Sequence, residues 1–215
     1  MKPRLANQNT VAMTLTEVVV IIAVLAVLAV LLLPILAISK HKQNRIDCIS
    51  NLRQIGIAYR VWADDNGGEY PMQISITNGG AMELAVTGNV VATYQVMSNV
   101  LSDPALLRCP EDGGHFAATN FSADFTARNI SYFVGLDAVD TQPQTLLSGD
   151  DNLVVNGTKA RSGILNLHSN DSLAWTRERH GGKGNIEFAD GSVQQITGAG
   201  LTPAAGLATN RLAIP

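Results

Sequence analysis

The chain has 215 residues, with 15 Lys and Arg against 18 Asp and Glu and a formal net charge of −3. That balance offers no basic field for a phosphate backbone, so nucleic acid is excluded as an expected partner. Charged residues make up only 15% of the chain, below the usual ~25%; an apolar segment accounts for part of the deficit, and the rest is long enough for one domain with its own core.

Residues 1–12, MKPRLANQNTVA, carry Lys2 and Arg4 and read as a cytoplasmic leader. From Met13 to Ile38 the chain is almost unbroken in its apolarity, with one acid, Glu17, near the start. Val18 to Ala37 holds no charge at all, and as helix that stretch spans about 30 Å, one bilayer core. It exceeds a secretory h-region of roughly 7–15 residues and lacks a clear cleavage site after it, so it reads as a retained transmembrane helix. Orientation is left open by charge, because Lys2 and Arg4 precede the span while Lys40, Lys42 and Arg45 follow it. The cluster from Lys40 to Arg45 suits a headgroup anchor. A carboxylate near mid-membrane costs roughly 2.5–3.5 kcal/mol on insertion scales. No Lys or Arg lies inside the run to pair with Glu17, so a partner is expected from the chain terminus or from another molecule. Pro34 removes one backbone donor and is expected to bend the helix rather than end it.

Beyond the span the helical period continues. Ile46, Ile49, Leu52, Gly56, Tyr59 and Trp62 recur at threes and fours, with Asp47, Asn51, Gln54 and Arg60 on the opposite face. Asp65-Asn66-Gly67-Gly68 and Pro71 supply the stop, giving one helix from about Met13 to Asp64. Ala81–Val91 and Thr93–Leu101 are ambiguous, the second suiting a short helix that leads to a cap at Ser102-Asp103-Pro104. Ile130–Leu136 reads as a buried strand, and Leu146-Leu147 with Asp150-Asp151-Asn152 as a strand end and polar turn. Asn185–Phe188 and Ser192–Ile196 around Ala189-Asp190-Gly191 form the clearest hairpin signal. The tail from Thr197, rich in Gly, Ala and Pro, reads as loosely packed coil.

Four segments carry a family resemblance. Ala12-Met13-Thr14-Leu15-Thr16-Glu17 ahead of the apolar run resembles the type IV prepilin processing site, with Ala12 where Gly is usual and Met13 where Phe is commonest. Pro34 stands 22 residues after Ala12, where such pilins often carry a proline. Cys48-Ile-Ser-Asn51-Leu52-Arg53-Gln54-Ile55-Gly56, continued by Asp65-Asn66-Gly67-Gly68-Glu69-Tyr70-Pro71, is similar to a stretch of pseudopilins related to type II secretion. Cys109-Pro110-Glu111-Asp112 looks like their C-P-x-D element. His180, nine residues, then Asp190-Gly191 resembles their C-terminal signature.

The resemblance implies an α+β pilin-like fold: a long N-terminal helix packed on a small, mainly antiparallel sheet domain. It divides the chain into a leader (1–12), a transmembrane segment (13–38), an extracytoplasmic continuation of the helix (39–66) and a soluble domain (67–215). It implies cleavage between Ala12 and Met13 and methylation of the new amine by a prepilin peptidase. Glu17 would then meet the amine of a neighbouring subunit, a dehydrated pair that exists only on assembly. The expected setting is a bacterial inner membrane, single-pass, with the C-terminal domain outside the cytoplasm. Other pilin-like subunits, an inner-membrane assembly platform and the bilayer are the expected partners, and a type II secretion pseudopilus or type IV pilus-like filament the product. A pilin-anchored module binding a polysaccharide or secreted substrate is the alternative.

The chemistry-bearing residues give little sign of catalysis. His180, Asp190 and Ser192 suit a hairpin better than a hydrolase, since no G-x-S-x-G elbow exists and Gly181, Gly182 and Gly184 permit an irregular approach to the strand. No enzyme activity is expected. Neither Cys48 nor Cys109 sits in a C-x-x-C pair, so zinc and thioredoxin chemistry lack support. The two are either one disulfide, tying the helix to the C-P-x-D loop and worth roughly 2–4 kcal/mol, or two separate thiols. No cofactor is expected; calcium is a candidate by the resemblance, with Asp150, Asp151, Asn152 and Asp190 as hard oxygen ligands. His41, His115 and His168 show no ligand spacing and are expected to be solvated.

Overall fold

The computed structural model describes residues 14–197 and 209–215, with the backbone alone at 33–39 and 209. Ala12 and Met13 lie outside that range. Helix α1 runs over Leu15–Asp65 and passes through Pro34. By its contacts the chain divides into two units, Met1–Lys42 and Gln43–Pro215.

In the first unit, Leu15–Leu32 is long and apolar enough to cross a membrane by length and composition, and its side chains are exposed throughout. Thr14 and Glu17 close its start. The Glu17 carboxylate accepts from the Thr14 backbone N–H at 2.8 Å and from its hydroxyl at 2.9 Å. The Glu17 N–H donates back to Thr14 Oγ1 at 3.3 Å. This is a capping box, Thr-x-x-Glu, satisfying donors that a helix start leaves open.

In the second unit α1 buries a stripe of Cys48, Leu52, Ile55, Tyr59 and Trp62, a 4-3-4-3 spacing that keeps one face toward the core. The expected stripe holds at Leu52, Gly56, Tyr59 and Trp62 and departs only at its start. Ile46 is half exposed and Ile49 lies at the margin, because the buried face begins with Cys48, a small residue that packs as a hydrophobe. The helix stops as its sequence expects: Gly68 N–H reaches back to Ala63 O at 2.8 Å, with Gly67 at φ 74°. The ambiguous segments resolve into three short helices, α2 (Met82–Ala85), α3 (Val90–Val96) and α4 (Ser98–Leu101). Asp103 caps the following 3-10 turn, Pro104–Leu107, from its side chain.

A six-stranded sheet follows: β1 (Tyr132–Gly135), β2 (Leu146–Asp150), β5 (Gly163–His168), β7 (Lys183–Phe188), β8 (Val193–Thr197) and β9 (Thr209–Ile214). Its order is β5-β9-β1-β2-β7-β8 with every pairing antiparallel. A second sheet joins β3 (Leu153–Val155), β4 (Thr158–Lys159) and β6 (Leu173–Trp175). Alternation sorts the large sheet's side chains onto two buried faces. Tyr132, Val134, Leu147 and Ala189 join the core beneath α1. Phe133, Leu146, Ile186 and Phe188 join a second core with Leu153, Leu173 and Trp175 of the small sheet. The architecture is therefore α+β, a helix layer and a small sheet on opposite faces of an antiparallel sheet.

The expected coil after Thr197 is corrected at its end. β9 lies between β5 and β1, with Leu212 and Ala213 fully buried. Residues 198–208 fall outside the described range.

Candidate functional site

At the junction of α1, the loop after Leu107, the end of β2 and the turn before β7, four buried side chains converge. They are Cys48, Cys109, Asp150 and His180, and their ligand-type atoms all lie within 4.8 Å of one another. Cys109 Sγ sits 3.3 Å from His180 Nε2, Cys48 Sγ 3.4 Å from Asp150 Oδ1, and His180 Nε2 3.7 Å from Asp150 Oδ2. Both cysteines are free thiols.

Local structure aims each one. His180 holds φ 49°, followed by Gly181 at 66° and Gly182 at 84°. A non-glycine residue in that region is strained, and such strain concentrates at functional positions. The turn puts the His180 ring into the core with Nδ1 2.9 Å from Glu111 Oε2, while the His180 backbone N–H donates to the same oxygen at 2.9 Å. Asp150 Oδ2 accepts from Asn185 N at 2.7 Å and from Asn185 Nδ2 at 3.0 Å. Tyr132 Oη and Asn185 Nδ2 approach Cys48 Sγ at 3.3 and 3.6 Å. Burial pushes the Cys48 thiol up. Cys109 is drawn down to about 6, chiefly by its hydrogen bond with Cys48, with His180 adding to the pull against burial. Burial raises Asp150 above the ordinary carboxylate value, against the pull of His180.

A second network adjoins the first. Arg179 pairs with Asp112 at 2.7 Å and with Asp151 at 2.6 Å. His115 Nδ1 meets Asp112 Oδ2 at 2.6 Å, and Ser131 Oγ donates to that oxygen at 2.7 Å. Burial would raise Asp112, yet His115, Arg179, Ser131 and the Gly114 N–H together hold it well below the usual carboxylate range. His115 is thus half-buried and engaged rather than solvated; His41 and His168 are exposed. An open cleft of about 610 Å³ beside these residues is lined by Glu111, Asp112, His115, Asp151 and Arg179 among others.

The residues singled out as calcium ligands divide between these surroundings. Asp150 faces His180, Asp151 faces Arg179, and Asn152 donates to Thr176. Asp190 serves the β7–β8 turn, its carboxylate accepting from Ser192 N at 2.8 Å. Gly191 takes φ 75° there, as an Asp-Gly turn requires. Beside it, Arg60 of α1 donates to Ala189 O at 3.1 Å. Sequence reasoning misses Glu111 and Asp150 as partners of His180 and Cys48, and Asp112 with Arg179 as the pair at the centre of the adjoining network. A signal was present: Asp150-Asp151 and Arg179-His180 each give one member to either network, and Cys109-Pro-Glu-Asp112 gives to both.

An N-terminal apolar helix followed by an antiparallel sheet domain is consistent with a pilin-like fold. Comparison with family models, with curated proteins and with solved structures gives no match for the chain.

Proposed function

We propose that this protein is a non-enzymatic, membrane-anchored pilin-like subunit. A prepilin peptidase removes residues 1–12 and methylates Met13, and the mature chain assembles with similar subunits into a type II secretion pseudopilus or a type IV pilus-like filament. Assembly takes place from a bacterial inner membrane, on a platform protein, with the C-terminal domain outside the cytoplasm. The observation that carries this reading is the apolar helix Leu15–Leu32, exposed along its length and bearing one acid, Glu17, in its first turn. Such a surface needs lipid or other helices to cover it. A lone acid at its N-terminal end fits a cation supplied there by a processed neighbour.

The test is the mass of the chain extracted from membranes of cells with an active prepilin peptidase. The expected mass lacks residues 1–12 and carries one added methyl group. An intact leader would reduce the protein to a plain signal-anchored domain.

A further inference from the structure

We propose that Cys48, Cys109, Asp150 and His180 are the ligands of a structural zinc ion that pins α1 to the sheet. The inference is independent of filament assembly. Tetrahedral zinc with bonds of about 2.3 Å to sulfur and about 2.0–2.1 Å to nitrogen and oxygen sets its ligand atoms roughly 3.3–3.8 Å apart. Cys109 Sγ to His180 Nε2 at 3.3 Å and Cys48 Sγ to Asp150 Oδ1 at 3.4 Å fall in that range; His180 Nε2 lies 3.7 Å from the other carboxylate oxygen, Oδ2, and with one atom taken from each residue the set closes within 4.8 Å.

The donor set selects the ion. Two sulfurs and an imidazole suit a borderline-soft cation and disfavour calcium or magnesium, which take oxygen. All four residues are buried, so the site is closed, as structural zinc sites are. Both sulfurs bind as thiolates, so binding displaces the protons they still hold. Two thiolates, one carboxylate and neutral imidazole around a divalent ion leave one negative charge, with the Arg179 guanidinium close enough to act on Asp150.

The surrounding shell is also that of a metal site. A carboxylate beside the far nitrogen of a ligand histidine sets its tautomer and ring orientation; Glu111 stands 2.9 Å from His180 Nδ1, in ion-pair range but off hydrogen-bond alignment, and is held there by the His180 backbone N–H. Asn185 donates to Asp150 and points a second donor at Cys48 Sγ, a sulfur that accepts best as thiolate. A disulfide would use Cys48 and Cys109 but leave a buried acid and a strained histidine beside them unexplained. Zinc uses all four, from elements separated by up to 132 residues of sequence between Cys48 and His180. That spread is why no C-x-x-C pair announces the site.

The experiment uses the full-length chain in detergent, purified under reducing conditions and loaded with zinc or cobalt. About one zinc per chain is expected after removal of loosely held metal. Cobalt should give sulfur-to-metal charge-transfer absorption with the visible bands of a tetrahedral site. Both thiols should resist alkylation until a strong chelator is added. Glu111→Gln, which leaves every ligand in place, should retain the cobalt spectrum and lower zinc affinity roughly 10–100-fold. Absence of sulfur charge transfer in the wild-type chain would overturn the proposal. So would zinc bound while both thiols stay reactive, or a Cys48–Cys109 disulfide in chain isolated freshly with thiols blocked.

Discussion

The Glu17 carboxylate and the Thr14 hydroxyl hold each other across the first turn of α1, so replacing the acid by alanine removes a helix cap together with a charge. The two roles separate by substitution. Glutamine satisfies a capping box as glutamate does, whereas alanine forfeits a cap worth about 1 kcal/mol. If Glu17 assembles the filament by meeting a neighbouring amine, Glu17→Gln and Glu17→Ala should block subunit incorporation to a similar depth. Sheared-filament yield and co-purification of partner subunits measure this. Wild-type incorporation of Glu17→Gln with loss only in Glu17→Ala would leave the acid as a cap and remove the ion-pair reading. The Thr-x-x-Glu spacing is legible in the sequence, but inside a bilayer-length apolar run the charge of Glu17 overshadows its service to the orphan N–H groups of the helix start.

Between His180 and Asp190 the signature spacing is filled by one strand, and that strand touches α1 at alternate residues. Asn185 reaches Cys48, Glu187 lies against Gly56, and Ala189 accepts from Arg60. A β-strand puts residues i, i+2 and i+4 on one face, and here that face is partly polar while Ile186 and Phe188 serve the other core. Binary patterning finds the strand and its Asp-Gly turn but misassigns which side meets the helix, since inward polar residues invert the usual rule. Gly56 is small because of Glu187: a Cβ there would sit 1.7 Å from Glu187 Oε1. Burial raises the Glu187 carboxyl well above its ordinary 4.5, an effect that Arg60 and the Gly56 backbone only partly offset. The other titratable groups acting with it are Tyr59, Tyr70 and Tyr94, all held up by burial first, and none of the three titrates in the acid range. For an acid raised on folding, the folded state binds more protons between the unfolded and folded pKa values. Its contribution is therefore fully present below about 4.5 and is lost as pH rises through that window. Glu187→Gln should remove the slope. It should melt with the wild type at pH 4 and above it at pH 8, by on the order of 1–3 kcal/mol, the usual desolvation penalty of a poorly satisfied buried group. Thermal unfolding at the two values of pH checks this; equal or lower stability at pH 8 would show that the carboxyl is well accommodated.

On the scale of the whole domain, the sheet is completed by a strand that composition conceals. Residues 209–215 end a stretch rich in Gly, Ala and Pro, and averaged over that stretch they look like coil. Yet Leu212 and Ile214 alternate with Ala213 as a strand requires, and the ladder that makes them one comes from β1 and β5, far away in sequence. Non-local pairing of this kind decides strand identity where propensity is weak. β9 pairs with β5 from Gly163↔Ile214 to His168↔Thr209, and among the described residues it is β5's one neighbour in the sheet. Removing residues 209–215 thus detaches β5, opens a new edge on β1 and strips Leu212 and Ile214 from the second core. Burial of those two side chains alone is worth about 3–6 kcal/mol, and each lost ladder bond adds roughly 0.5–1.5 kcal/mol. Against a typical total of about 5–15 kcal/mol, the truncated chain should lose cooperative unfolding. The edges left on β1 and β5 should also make it prone to aggregate. Circular dichroism melts of full-length and truncated chain in the same detergent make the comparison. A truncated chain that still melts cooperatively near the parent temperature would show β9 to be an accessory strand, and would return the C-terminus to the coil that its composition suggests.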